Sequence, residues 1–139
     1  MGVTVHTRGR LPTRVWDIDA SRQLGDLVRR IVGERTFGRG RGDADQLHRP
    51  YSETYATEEA GQDTPDLQRT GLMRWSLVVK EAALYRIVVG IIGEAAEYAG
   101  RVHALRPWLG LSADDLKRLA AAVPDMVRAA LIRGARSAR

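Results

Sequence analysis

The chain has no cysteine, two lysines (Lys80 and Lys117), one phenylalanine and three histidines among its 139 residues. Without thiols it forms no disulfide framework, no thiolate metal site and no cysteine nucleophile. Long apolar runs are missing too: "IVVGII", residues 87–92, is a strand's length, whereas a membrane span needs about 20 residues. The opening "MGVTVHTRGRLPTR" lacks the apolar stretch of a secretory signal. These absences are compatible with synthesis in the cytoplasm and predict no membrane partner, and the length suits one domain with a single buried core.

Scarce lysine makes the positive charge guanidinium, with 22 basic residues against 17 acidic ones and a net charge of +5. Arginine suits bidentate contacts to carboxylates and phosphates. A GC-rich genome produces the same arginine and alanine bias, so composition alone designates no binding surface.

Catalysis needs a nucleophile with a base, paired carboxylates or a metal site, each with a characteristic spacing. His6, His48 and His103 fall in an N-terminal arm, a loop and a helix end, and no pair has the i, i+4 spacing of helical ligands. Asp114 and Asp115 are adjacent at a helix start, where acids offset the dipole. "GRGRG", residues 38–42, lacks the lysine and the preceding strand of a phosphate-binding loop. No catalytic, cofactor or metal residue is assigned, and an enzyme such as a hydrolase is disfavoured.

The pattern along the chain predicts an α+β domain. Residues 1–18 read as a mobile arm. An amphipathic helix follows from Asp19 or Ser21 as N-cap to about Glu34, with Leu24, Leu27, Val28, Ile31 and Val32 on its apolar face. Residues 36–66 carry much Gly, Asp, Glu, Thr and Arg and are expected to form a long flexible loop; an RGG-like nucleic-acid segment is the alternative for "GRGRG". Thr70 is a candidate cap for a short turn. "WSLVVKE" and "LYRIVVGII" read as antiparallel strands joined by "EAAL", with Trp75, Leu77 and Val79 sharing one face and Tyr85, Ile87, Val89 and Ile91 another. The opposite face carries Val78, Val88 and Ile92, an apolar surface that a partner subunit would cover.

Residues 94–103 predict a short helix with Ala95, Ala99 and Val102 on one stripe. Ser112 and Asp115 form a near capping box for a final helix with Leu116, Leu119, Ala120 and Val123 facing inward. Pro124 either starts a new helix or kinks a continuous one, Met126, Val127, Ala130 and Leu131 resume the stripe, and residues 132–139 read as a basic tail.

Between these helices lies "RPWLGLSADD", residues 106–115. Arg106, Pro107, Trp108 and Gly110 make a rigid elbow in which Pro107 fixes the backbone and Gly110 lets it turn. His103 either caps its helix or packs beside Trp108. Trp108 either plugs the core or anchors an interface.

In order and spacing, "RPYSETYA" (49–56), "PDLQRTGLMRWSLVV" (65–79), "EYAGRVH" (97–103) and "RPWLGLSADD" resemble the phage virion morphogenesis family, the tail-completion or neck proteins of Mu-like and related tailed phages. The resemblance covers roughly residues 20–125. It implies a small α+β virion protein that assembles as a homo-oligomeric ring, sixfold by the common symmetry of tails, at the head–tail junction. Its partners would be other neck, connector and tail terminator proteins, with DNA passing through the ring. Trp75, Val78, Val88, Ile92, Tyr98, His103, Arg106, Pro107, Trp108 and Gly110 are the candidate interface or structural residues. Family members often place a glycine soon after the "YA…H" stretch, whereas this chain reads "HALRPW" with none before Gly110. The rival reading is a nucleic-acid-binding module built on residues 111–139, "LSADDLKRLAAAVPDMVRAALIRGARSAR", as helical reader with an arginine tail.

Overall fold

The computed structural model describes residues 2–6, 15–50 and 71–137. Its order is β1 (Gly2–His6), α1 (Ile18–Gly33) running into a π-helical turn (Glu34–Gly38), the one-turn α2 (Leu72–Trp75), β2 (Leu77–Ala83), β3 (Arg86–Ile91), α3 (Ala95–Leu105) and α4 (Ala113–Ser137). The architecture is α+β, with one antiparallel sheet in the order β1-β3-β2.

The expected arm over residues 1–18 is corrected at both ends. Gly2–His6 is an edge strand whose Val3 and Val5 stand opposite Val89 and Ile87. Val3 is buried in the core and Val5 packs against it. At the other end Trp16 is buried and donates from Nε1 to Ser21 Oγ at 2.8 Å, and Ser21 Oγ donates to the Leu84 carbonyl at 3.1 Å. Ser21 therefore links the helix entry to the hairpin turn. The N-cap is Asp17, extended at φ −125° and accepting from Ala20 N at 2.8 Å, two residues before the earlier of the expected caps.

α1 lays Leu24, Gly25, Val28, Ile31 and Val32 on the sheet and on α4. Gly25 permits close approach: a Cβ there would stand 3.0 Å from a Val79 methyl and 3.2 Å from Ile87 Cγ2. The sheet answers with Leu77, Val79, Ile87, Val89 and Ile91. The hairpin turn is Leu84–Tyr85, so Glu81–Ala83 belong to β2 rather than to the connection, and a bulge between Val79 and Glu81 shifts the register at Lys80. Trp75 ends α2 instead of opening the strand. Thr70 and "YSETYA", residues 51–56, lie outside the described residues.

The second sheet face is less apolar than expected. Val78 and Val88 are half-buried, and Val88 stands between Thr4 and Glu81, both exposed, with Glu81 paired to Arg86 at 3.5 Å. α3 buries Ala95, Ala99 and Val102 and touches α2 and β3.

The C-terminal tail is corrected as well. α4 is one helix that passes through Pro124 and continues to Ser137. It buries Asp115, Leu119 and Ala130 and packs Val123, Met126 and Val127 partly, while Leu116 and Leu131 face solvent. Arg133, assigned to the tail, donates from Nε and Nη2 to the two Asp17 carboxylate oxygens at 2.7 Å each.

Candidate functional site

The densest polar constellation among the described residues surrounds Arg35. The π-helical turn, closed by Arg39 N donating to the Glu34 carbonyl at 2.9 Å, sends Arg35, Thr36 and Phe37 inward in succession. Residues 36–50 are therefore no flexible loop: Thr36, Phe37 and His48 are buried, and Arg41 and Leu47 form a β-bridge. The remaining part of the expected loop, 51–66, lies outside the described residues.

The Arg35 guanidinium, wholly buried, pairs through Nη1 with Asp115 Oδ2, also wholly buried. Its Nη2 donates to the Trp108 carbonyl at 2.5 Å, and both Nη groups reach the Gly110 carbonyl at 3.1 Å. Asp115 at the same time completes the capping box of α4, its Oδ2 accepting from Ser112 N at 3.0 Å while Asp115 N donates to Ser112 Oγ at 3.1 Å. One carboxylate thus caps a helix and neutralises a buried arginine from the end of another.

The elbow wraps this pair. Trp108 is 0% exposed, its ring 5.5 Å from that of Phe37 at an interplanar angle of 55°. His103 Nδ1 accepts from Trp108 N and Leu109 N, both at 3.2 Å, which fixes the chain between α3 and Gly110. The Pro107 carbonyl accepts from Asp43 N at 3.1 Å and from Gln46 Nε2 at 3.2 Å. Arg106 Nε donates to the Arg49 carbonyl at 2.8 Å. Gly110 is glycine because of crowding: a Cβ there would sit 2.8 Å from Asp43 Cβ. His48 places Nε2 3.4 Å from the Thr36 carbonyl, and burial, with the nearby Arg106 and Arg35 charges adding to it, holds its pKa below the ordinary histidine value.

The ten candidate residues separate into groups. His103, Arg106, Pro107, Trp108 and Gly110 form the internal brace around Arg35. Val78 and Val88 occupy the mixed outer sheet face. Trp75, Ile92 and Tyr98 remain as exposed apolar surface, Trp75 at 81% and Tyr98 at 60%. Trp75 and Ile92 are neighbours, because Ile92 N donates to the carbonyl of Ser76, the residue after Trp75, at 3.1 Å. Tyr98 lies on α3, which packs beside α2, and Leu105, 61% exposed, follows it two turns along the same helix face.

Sequence reasoning missed Arg35 and Asp43. Arg35 sits in "GERTFG", where nothing but its place directly after an amphipathic helix separated it from the other arginines. Among the described residues no group of three or more His, Asp or Glu is placed to hold a metal ion, and no helix is long and apolar enough to cross a membrane. Three arginines of the proposed helical reader are engaged with acids of the same chain: Arg118 with Glu34 at 3.3 Å, Arg128 with Asp125 at 3.4 Å, and Arg133 with Asp17.

Compared with family models, curated proteins and solved structures, the chain matches none.

Proposed function

We propose that the chain is a structural virion protein of the neck or tail-completion type, assembling as a ring at the head–tail junction of a tailed phage or phage-like particle. The observation that carries this reading is the exposed apolar corner of α2, the β3 exit and α3. Trp75, Ile92, Tyr98 and Leu105 are left in water there by a fold that buries its other two tryptophans. Large aromatic side chains held on short, packed helices are the usual anchors of protein interfaces. The order of the "RTGLMRW", "EYAGRVH" and "RPWLGLSADD" segments supports the neck assignment within that class. The Arg35 brace sets the angle between the end of α1 and α4, a role in shape.

Electron micrographs and native mass spectra of the purified protein should show closed rings, with sixfold symmetry expected from the family resemblance. Trp75→Glu with Tyr98→Glu should leave folded monomers and no rings. In particles lacking the protein, filled heads and separate tails are expected. Virions that contain no copies of it, or head–tail joining that survives its removal, would overturn the assignment.

A further inference from the structure

α4 runs for 25 residues and packs chiefly on α1, which has 16. Its Leu116, Ala120, Val123, Val127 and Leu131 recur at steps of four, three, four and four residues, which keeps them within an arc of roughly 80° of the helix surface. No charged residue falls in that arc. Leu116 and Leu131 are exposed at 52% and 46%, Ala120 is exposed, and Val123 and Val127 are half-buried. A single leucine on a surface needs no explanation, but a charge-free row running most of the length of a helix is a face without a partner.

We infer that this face of α4 covers the corner of Trp75, Ile92, Tyr98 and Leu105 on the next copy of the chain. The contact presupposes the ring proposed above and supplies its second surface: subunits that close head to tail meet through two different patches, and the corner is only one of them.

Length and charge select this pairing. The row from Leu116 to Leu131 is roughly 22 Å long, and α3 alone gives the corner roughly 16 Å, with Trp75 and Ile92 added at its N-terminal end. Glu94, two residues after Ile92, and Lys117, next to Leu116, are exposed and of opposite sign, and neither forms an ion pair among the described residues. The other charges that border the two patches are already engaged within the chain: Glu97 with Arg101, Arg128 with Asp125, and Arg74 with a partner of its own. Setting Glu94 against Lys117 of the neighbour aligns the two helices in parallel. Trp75 and Ile92 then meet Leu116, the Tyr98 ring lies over the small Ala120, and Leu105 reaches Val127 and Leu131.

The test mixes two variants of the full-length protein, each disabled on one patch, and reads their mass by analytical ultracentrifugation. Trp75→Glu/Tyr98→Glu keeps the α4 face, and Leu116→Glu/Ala120→Glu keeps the corner. Each should be a folded monomer alone, and the mixture should give a one-to-one heterodimer that grows no further, because one intact contact remains. Leu131→Glu replaces the second variant should that one not fold. Lys117→Glu should raise the midpoint concentration for assembly about threefold at low salt, and adding Glu94→Lys in the same chain should restore it. Assembly of Leu116→Glu/Ala120→Glu like the wild type, or its pairing corner to corner, would overturn this contact and leave the ring reading standing. So would a mixture without heterodimer, and a double charge variant weaker than Lys117→Glu would overturn the alignment. A wild type that is monomeric at every concentration would overturn both the ring and the contact.

Discussion

Arg133 grips Asp17 with two hydrogen bonds of 2.7 Å, joining the last turns of α4 to the N-cap of α1 across 116 positions of sequence. The same carboxylate caps α1 through Ala20 N. The Arg133 guanidinium, helped by that cap, lowers the Asp17 pKa to about 2. A depressed acid contributes stability that is complete above its unfolded value, near 3.8, and is lost as pH falls toward 2. Asp17→Asn keeps a capping oxygen and removes the charge, so it should be less stable than wild type at neutral pH and converge with it near pH 2. Asp17→Ala should lose about 1 kcal/mol more through the missing cap. Urea melts across pH 2 to 7 check both.

The Arg35–Asp115 pair predicts a different pattern. Removing either partner leaves a charge in a fully buried site, so Arg35→Met or Asp115→Leu alone should destabilise by about 3 to 5 kcal/mol. The double variant should recover a large part of that loss, because the ion pair is replaced by apolar volume. Asp115→Leu also breaks the capping box, which leaves a residual cost of about 1 kcal/mol. A double-mutant cycle in denaturant reads the coupling, and simple additivity of the two losses would show that the residues do not act as a pair.

Elements with strong periodicity were legible from the sequence, and those held by long-range contacts were not. α1, the β2–β3 hairpin, α3 and the Ser112–Asp115 box follow from apolar spacing and cap chemistry over a few residues. β1 carries little signal in the sequence although "GVTVH" alternates, because five residues at a terminus gain a pairing partner only when β3 offers an edge. Arg35 and His48 were hidden for a similar reason. A run of Gly, Arg and Asp looks solvated locally, and for Arg35 only the elbow more than 50 residues later supplies the carbonyls and the carboxylate that allow burial, while the His48 ring turns back on the Thr36 carbonyl. The arginines of residues 132–139 suggest fraying in the sequence, whereas in the fold Arg133 has a specific acid to reach.

Trp108 should behave as a core residue. Replacing it by alanine removes the ring that packs on Phe37 and leaves the elbow without its filling, a loss of about 3 to 5 kcal/mol. Trp75→Ala, by contrast, should stay within about 0.5 kcal/mol of wild type as a monomer, since its side chain is largely in water. Thermal melts of both variants under monomeric conditions separate the roles, and equal effects would contradict the placement of Trp108 inside and Trp75 outside.

His48 should make the elbow sensitive to mild acid. Its folded-state pKa lies below 6.5 because the ring is buried beside the Arg106 and Arg35 charges, while the unfolded chain protonates it near 6.5. The unfolded state then binds more protons than the folded state just below that pH, so stability falls as pH drops through 6.5 and levels off below the folded-state value. This loss sets in near 6.5 and the one governed by Asp17 near 3.8, so the two onsets can be resolved in one titration. His48→Leu keeps an apolar filling beside Thr36 and should remove the loss of stability that sets in as pH drops through 6.5. Amide exchange of the 40–48 segment should accelerate in the same range in the wild type, since His48 N donates to the Gly40 carbonyl at 3.0 Å and opens with the ring. A wild-type profile that is flat across that range would remove His48 as the titrating group.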